Sequence, residues 1–411
     1  MKVELISIGD ELLIGQTINT NASWLGESLS KAGADIIRTV AISDKKEEII
    51  ASLDSINSNT DCVIITGGLG PTKDDITKYT LCEYFGSALK QDPHTLGKIE
   101  AFFAQRDRPM LASNYKQAEL PVDCLILEND FGTAAGMWFE KNNKIYISLP
   151  GVPYEMQGIM EEQAIPMLKN RFKLESLYHK TALTSGLGES FLAEKIADWE
   201  TKVYANNFSL AYLPSPGIVK LRISSPNGIG DESKINQLFL DLENEIPHHF
   251  FGYDKDTLPS VIGKRLIDKN LTIGTVESCT SGLLASQISS IPGASSYYLG
   301  ALLTYSYKLK TTLANVPSEL IKKYGAVSEE VAIEMAQNGR GIIGADICIS
   351  TTGIAGPAGG TETKPVGLVW IAIATKEGTI TKKHQFSNNR ERNLKMTVLS
   401  ALNLLRIQLN K

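Results

Sequence analysis

Apolar positions along this chain recur at two spacings, and the alternation between them lays out the elements. Val3 to Gly9 is an apolar run of the buried-strand type, and Ala22, Leu25, Leu29 and Ala32 follow at helical spacing. Ile36 to Ile42 reads as a second strand, Ile49, Leu53 and Ile56 as a second helix, and Cys62 to Thr66 as a third strand running into glycines. This βαβαβ order is the grammar of a mostly parallel sheet covered by helices on both faces. Lys144 to Leu149 is a later strand, and the turn pair Asn142-Asn143 predicts a hairpin with the strand before it.

From about Phe172 to Tyr253 the elements become short and mixed, with Pro214, Pro216 and Gly217 punctuating strands around Tyr212 and over Val219 to Ile223. After the polar stretch Asp254 to Thr257, a helix through Val261, Leu266 and Ile267 leads to a strand over Leu271 to Val276. The expected class is therefore α/β: two three-layer domains, 1–170 and 254–411, joined by a small α+β segment, 171–253.

Composition adds exclusions. Hydrophobic residues make up 43% and charged residues 21%, as in an ordinary folded protein. The five cysteines, Cys62, Cys82, Cys124, Cys279 and Cys348, are scattered without a CxxC pair, which argues against a disulfide framework or a zinc site and for a reducing compartment. No charged n-region precedes an apolar core at the N-terminus, and no apolar stretch approaches the ~20 residues that cross a bilayer, so a cytoplasmic, membrane-free protein is expected. A net charge of -5, spread without runs, makes nucleic acid an improbable main partner.

Two loops carry candidate chemistry. Strand Cys62 to Thr66 feeds Gly67-Gly68-Leu69-Gly70-Pro71-Thr72-Lys73-Asp74-Asp75, with a helix starting near Ile76. Glycines allow a close approach to a ligand, a helix start favours an anion, and Asp75 beside a phosphate calls for a divalent cation such as Mg2+. A tight turn with an Asp cap is the plain structural alternative. Further on, strand Leu271 to Val276 runs into Glu277-Ser278-Cys279-Thr280-Ser281-Gly282 before a helix, so Ser278 sits at an exposed elbow suited to a nucleophile, although Ser and Thr there also serve as caps. His384 is the only histidine of this domain, so the base is sought in Tyr305-Ser306-Tyr307-Lys308-Leu309-Lys310, where a desolvated Lys310 could take the proton. If that segment is helical, Ser306 shares a face with Lys310 and is a second candidate nucleophile or relay. The small residues Ser350 to Gly360, with Thr352 and Gly353, and Arg390 at the last helix start complete the candidate ligand contacts.

These residues resemble a known family. Gly9-Asp10-Glu11-Leu12-Leu13, the GGLGPTKDD loop, Asn114 to Leu120, Gly132 to Gly136 and Leu149 to Met156 resemble the molybdopterin-binding-like N-terminal part of CinA (competence/damage-inducible) proteins. The segments after Leu258 resemble the CinA C-terminal domain, a nicotinamide-nucleotide amidase. The resemblance implies metal-dependent ADP-ribose pyrophosphatase activity in the first part. Asp44 and Asp75 would be the acidic pair, Asp10 a further metal ligand, and Gly67, Gly68 and Thr72 the phosphate cradle. It implies deamidation of nicotinamide mononucleotide in the last part, with Ser278, Tyr305 and Lys310 catalytic, Glu277, Thr280, Ser306, Thr352, Gly353 and Arg390 on the substrate, no cofactor there, and a homodimer. Two departures are Ser281 where a second glycine is usual and Tyr307 where asparagine is usual. A competing reading, a non-catalytic competence or DNA-repair binding protein, rests on Gly186-Leu187-Gly188-Glu189, which resembles a KH loop but lacks flanking Lys or Arg.

Overall fold

The structure is a computed structural model that describes residues 1–72, 75–175, 177–225 and 227–410. Lys73 and Asp74 of the first glycine-rich loop lie outside the described residues. The chain divides into two compact units, residues 1–178 with 226–231, and residues 179–225 with 232–411.

In the first unit the strands are β1 (Lys2–Ile8), β2 (Asp35–Ile42), β3 (Cys62–Thr66), β4 (Leu89–Gln91), β5 (Glu119–Pro121), β6 (Leu125–Leu127), β7 (Gly136–Lys141) and β8 (Lys144–Leu149). Six of them form one sheet in the order β2-β1-β3-β8-β7-β6, parallel from β2 through β8. The β7 and β8 pair is antiparallel and closes with Lys141 opposite Lys144. Asn142 and Asn143 both take left-handed φ, 52° and 60°, as the predicted tight hairpin requires.

The continuous apolar run of β3 follows from burial on both faces. Cys62 and Ile64 pack with Leu25, Leu29 and Met156, whereas Val63 and Ile65 pack with Ile49, Leu53 and Leu81. Beneath the sheet, Glu4 is 1% exposed and accepts from Thr60 Oγ1 (2.5 Å), the Asn57 N–H (2.8 Å) and Arg38 Nη1 (3.1 Å). Burial raises its pKa, and these hydrogen bonds outweigh that and hold it below the usual carboxylate range.

The second unit holds β9 (Tyr178–Ser185), β10 (Ser209–Ser215), β11 (Ile218–Ser225), β12 (Phe250–Tyr253), β13 (Ile273–Glu277), β14 (Tyr298–Leu303), β15 (Ile347–Gly353), β16 (Leu368–Thr375) and β17 (Gly378–Gln385). A small sheet runs β10-β11-β9-β12, and Pro214 is tolerated because β10 is its edge. The larger sheet runs β14-β13-β15-β16-β17, with β13 parallel to β14 and β15 and the last two strands antiparallel. The fold is the expected combination of two layered α/β sheets and a small α+β segment.

The small sheet packs on its own helices through fully buried residues such as Trp199 and Phe239, whose ring centroids lie 6.0 Å apart, and it also reaches into the core of the larger sheet. Leu183 and Phe251 share a cluster with Leu258, Ile262 and Ile273. Arg406, fully buried on the last helix (Arg390–Leu409), donates to the carbonyls of Phe250 (2.7 Å) and His248 (2.5 Å). No helix among the described residues is long and apolar enough to cross a membrane.

Candidate active site

Three parallel strands of the second unit end at one edge of their sheet, where small polar residues take over from the apolar run. β13 is buried throughout and delivers Ser278; β15 delivers Thr352 and Gly353; β14 is followed by Thr304 to Ser306. The elbow after β13 is held from below by Glu277. Its buried carboxylate accepts the N–H groups of Gly282 (2.9 Å), Leu284 (3.2 Å) and Ala285 (2.8 Å), a carboxylate seated on a helix start. Ser281 at φ 49° and Gly282 at φ 93° make the two consecutive left-handed steps that turn the chain into the helix Leu283–Ser289. The site therefore uses the left-handed conformation at Ser281, the position where the resemblance implied a glycine.

Lys310 is 1% exposed, and its Nζ donates to Ser278 Oγ at 2.7 Å, to the Thr304 carbonyl at 2.7 Å and, more weakly, to the Tyr305 carbonyl at 3.4 Å. Among the described residues no carboxylate forms an ion pair with it. Burial pulls its ammonium down to about 8. A neutral amine in this position gives its two N–H groups to the carbonyls and leaves its lone pair for the serine hydroxyl. Cys279, next to Ser278, is pushed by burial up to about 12 and stays a thiol. The N–H groups of Cys279 and Thr280 donate to no acceptor among the described residues.

A cavity of 210 Å3 opens above this pair, walled by Tyr305, Tyr307, Thr352, Gly353 and Arg390. Tyr305 and Tyr307 are 60% and 66% exposed, so both rings stand at its mouth. Arg390 begins the last helix and donates from Nη1 to the Gly356 carbonyl at 3.0 Å, which fixes its fork at one end.

Three sequence candidates fall elsewhere. Ser306 precedes the helix Tyr307–Thr312 and its hydroxyl caps it, accepting the Leu309 N–H at 3.2 Å, and it does not line the cavity. Thr280 is buried with its hydroxyl on Thr351 Oγ1 (2.7 Å), and Glu277 points into the helix start, so neither lines the cavity. Thr352 lines it, but its hydroxyl is engaged by the Ala326 carbonyl at 2.7 Å. His384 lies at another cavity, stacked on Phe386, with Nε2 buried and unpartnered and its pKa lowered by burial to about 4. Tyr307 and the Thr304 carbonyl were not singled out in the sequence as members of the site.

In the first unit, Asp75 accepts the Thr72 N–H at 2.8 Å and the Thr72 hydroxyl, and the two residues line a cavity of 420 Å3. Gly67 opens instead on a separate space of 130 Å3 beside Asn21 and Thr66, so the structure does not gather Gly67 and Thr72 into one cradle. Both glycines are accounted for by packing: a Cβ on Gly67 would meet the Ile8 carbonyl oxygen at 2.3 Å, and one on Gly68 would meet Thr77 Oγ1 at 2.1 Å. Asp44 accepts the Asp10 N–H at 3.1 Å. No cluster of three or more His, Cys, Asp or Glu side chains suited to a metal occurs among the described residues. A magnesium ion held by one or two carboxylates and the substrate's own phosphate oxygens does not need such a cluster, so the donor set is compatible with it.

The KH-like loop Gly186 to Glu189 lines a cavity of the second unit together with the last helix, and its Gly186, Gly188 and Glu189 are exposed. A Cβ on Gly186 would lie 3.4 Å from Asn403 Nδ2, and one on the neighbouring Gly217 only 2.2 Å from Leu399.

Comparison with known proteins accounts for most of the chain. Residues 4–170 match the family model of a probable molybdopterin binding domain, 179–253 that of the damage-inducible protein CinA KH domain, and 255–409 that of the CinA C-terminal domain. A CinA-like protein of Cytophaga hutchinsonii is 46% identical over 413 residues, covering 99% of this chain and 98% of its own. A putative competence-damage inducible protein of Clostridium novyi is 40% identical over 411 residues, covering 100% and 99%. Among solved structures, the competence/damage inducible protein CihA from Agrobacterium tumefaciens is 32% identical, covering 38% of this chain and 98% of its own with a TM-score of 0.36.

Proposed function

This chain belongs to the CinA family, and from that premise we propose that its C-terminal part hydrolyses the carboxamide of nicotinamide mononucleotide to nicotinate mononucleotide and ammonia. The observation that carries the reading is the 2.7 Å contact between Lys310 Nζ and Ser278 Oγ, made by a buried lysine with no carboxylate partner among the described residues. Neutral Lys310 takes the Ser278 proton as Oγ attacks the carboxamide carbon. The carbonyl oxygen becomes an oxyanion, for which the N–H groups of Cys279 and Thr280 are available donors. When the C–N bond breaks, Lys310 returns the proton to the departing ammonia. Water, deprotonated by Lys310, then cleaves the acyl-serine and regenerates Ser278. Arg390 offers a planar fork for the ribose phosphate, and Tyr305 and Tyr307 offer faces for the pyridinium ring.

For the N-terminal part the same reading assigns cleavage of the ADP-ribose pyrophosphate, supported by the 420 Å3 cavity bearing Thr72 and Asp75. Of the three candidate carboxylates only Asp75 lines this cavity, so Asp75 together with the substrate's own phosphate oxygens would hold a divalent cation, while Asp44 and Asp10 lie outside its lining. Bound there, the cation would neutralise charge on the pyrophosphate. Thr72, now bonded to Asp75, would present its N–H and hydroxyl to a phosphate oxygen.

A cytoplasmic setting agrees with five free cysteines. A homodimer agrees with the exposed leucines on the edge strand β14, Leu299 and Leu303. The deciding experiment is ammonia release from nicotinamide mononucleotide by the purified full chain, with light scattering to count subunits. No release above background, in protein shown to be folded, would remove the amidase reading.

A further inference from the structure

The N-terminal cavity holds a residue that the pyrophosphatase reading leaves unused. Lys78, in the first turn of the helix Thr77–Phe85, is only 9% exposed yet lines the same 420 Å3 space as Thr72 and Asp75. Its Nζ donates to the Lys116 carbonyl at 2.6 Å and lies 5.3 Å from the Tyr79 ring centroid. No carboxylate comes within ion-pair distance of it among the described residues; Glu119 acts only from farther off. Burial brings its ammonium down to about 8, which still leaves it mostly charged at neutral pH.

A buried cation with no carboxylate at ion-pair distance among the described residues is a stability liability, because removing an ammonium from water is offset only when an anion takes the place of that water. The local carboxylate does not do so, since Asp75 is turned onto Thr72. The second lysine of the cavity, Lys116, is exposed and adds positive charge at the rim. The arrangement is that of a preformed anion site in which the ligand supplies the missing negative charge.

We propose that Lys78 grips an oxyanion of a pyrophosphate-bearing ligand in this cavity, as the fixed cation opposite the Thr72 and Asp75 loop. The proposal rests on the pyrophosphatase reading for the ligand's chemical class, but it concerns binding and stands or falls separately from turnover. Lys78 binds and positions; it is not the residue that activates water.

The test uses the full chain with Arg390→Ala as background, so that the other phosphate grip does not contribute, and inorganic pyrophosphate with Mg2+ as the probe in calorimetry. Lys78→Met should weaken binding roughly tenfold or more, as for loss of a charge-assisted hydrogen bond, and Lys78→Arg should retain most of it. Thermal unfolding supplies the control: if Lys78 serves the ligand, Lys78→Met leaves the melting temperature of the N-terminal transition unchanged or raises it. Wild-type affinity in Lys78→Met, or no pyrophosphate binding by the parent protein, would overturn the proposal. So would a lowered melting temperature that accounts for the lost binding. Binding that depends on Lys78 without any ADP-ribose cleavage would keep the proposal and remove the pyrophosphatase reading.

Discussion

Lys310 Nζ lies 2.7 Å from Ser278 Oγ, although the two residues are 32 positions apart, Ser278 in the elbow after β13 and Lys310 on the helix Tyr307–Thr312 that follows β14. Each is nearly excluded from water, at 1% and 7% exposure. Their proximity gives the first prediction. Ser278→Ala should reduce ammonia release to background, and Lys310→Met should lower kcat by on the order of a hundredfold to ten-thousandfold, the range of a lost general base. Steady-state assays on variants with unchanged circular dichroism decide it. Near wild-type turnover in Ser278→Ala would exclude this serine as nucleophile, and Ser306, which caps a helix, would be a poor substitute.

The pH dependence has a definite sign. Lys310 must be neutral to accept the serine proton, and burial lowers it to about 8. The value of kcat/KM should therefore rise with unit slope on a logarithmic plot below about pH 8 and level off above it. A flat profile between pH 6 and 8, outside this expectation, would mean that Lys310 is not the base. His384 cannot supply that limb, because burial takes its ionisation down to about 4.

Ser281 occupies the left-handed region at φ 49°, and its hydroxyl recovers only a 3.3 Å bond to the Ser278 carbonyl. Ser281→Gly should raise stability by up to about 1 kcal/mol by relieving the contact of Cβ with the backbone, with turnover kept or increased. Chemical denaturation reads this. A fall in the midpoint would mean that the hydroxyl bond and the extra freedom of glycine outweigh the strain.

Where the chain can be cut follows from Arg406. A fragment starting at His179 keeps its carbonyl partners at His248 and Phe250, and keeps Leu183 and Phe251 in the shared core; one starting at Asp256 loses all four. The shorter fragment should be less stable by on the order of 3 kcal/mol, from lost apolar burial and lost hydrogen bonds to a charged group. Denaturant midpoints of the two fragments compare them directly, and equal midpoints would refute the shared core.

The metal requirement should separate the two units. Chelator or Asp75→Asn should suppress ADP-ribose cleavage by at least tenfold, on the order expected when a metal clamp on phosphate is lost, and leave ammonia release unchanged. Both activities measured on the same samples test this. An amidase that falls with chelator would place a metal at Ser278.

The sequence by itself determined what short-range interactions record. The buried runs of β1 and β3, the Asn142-Asn143 hairpin and the elbow after β13 are legible because side-chain period and turn φ depend on a few neighbouring residues. The same locality explains why Ser278 and Lys310 could be nominated while Ser306 remained open beside them: spacing describes one helix, and the actual helix starts at Tyr307. Tertiary structure decided the rest. It turned Gly67 and Gly68 to packing against Ile8 and Thr77, and set the Gly186 to Glu189 loop against the last helix. It also joined the small sheet to the C-terminal core and buried Lys78 with no carboxylate at ion-pair distance among the described residues. These outcomes depend on which distant backbone comes within a few ångströms and on how much water is displaced. Desolvation sums over contacts from many elements, so no local window of residues records it.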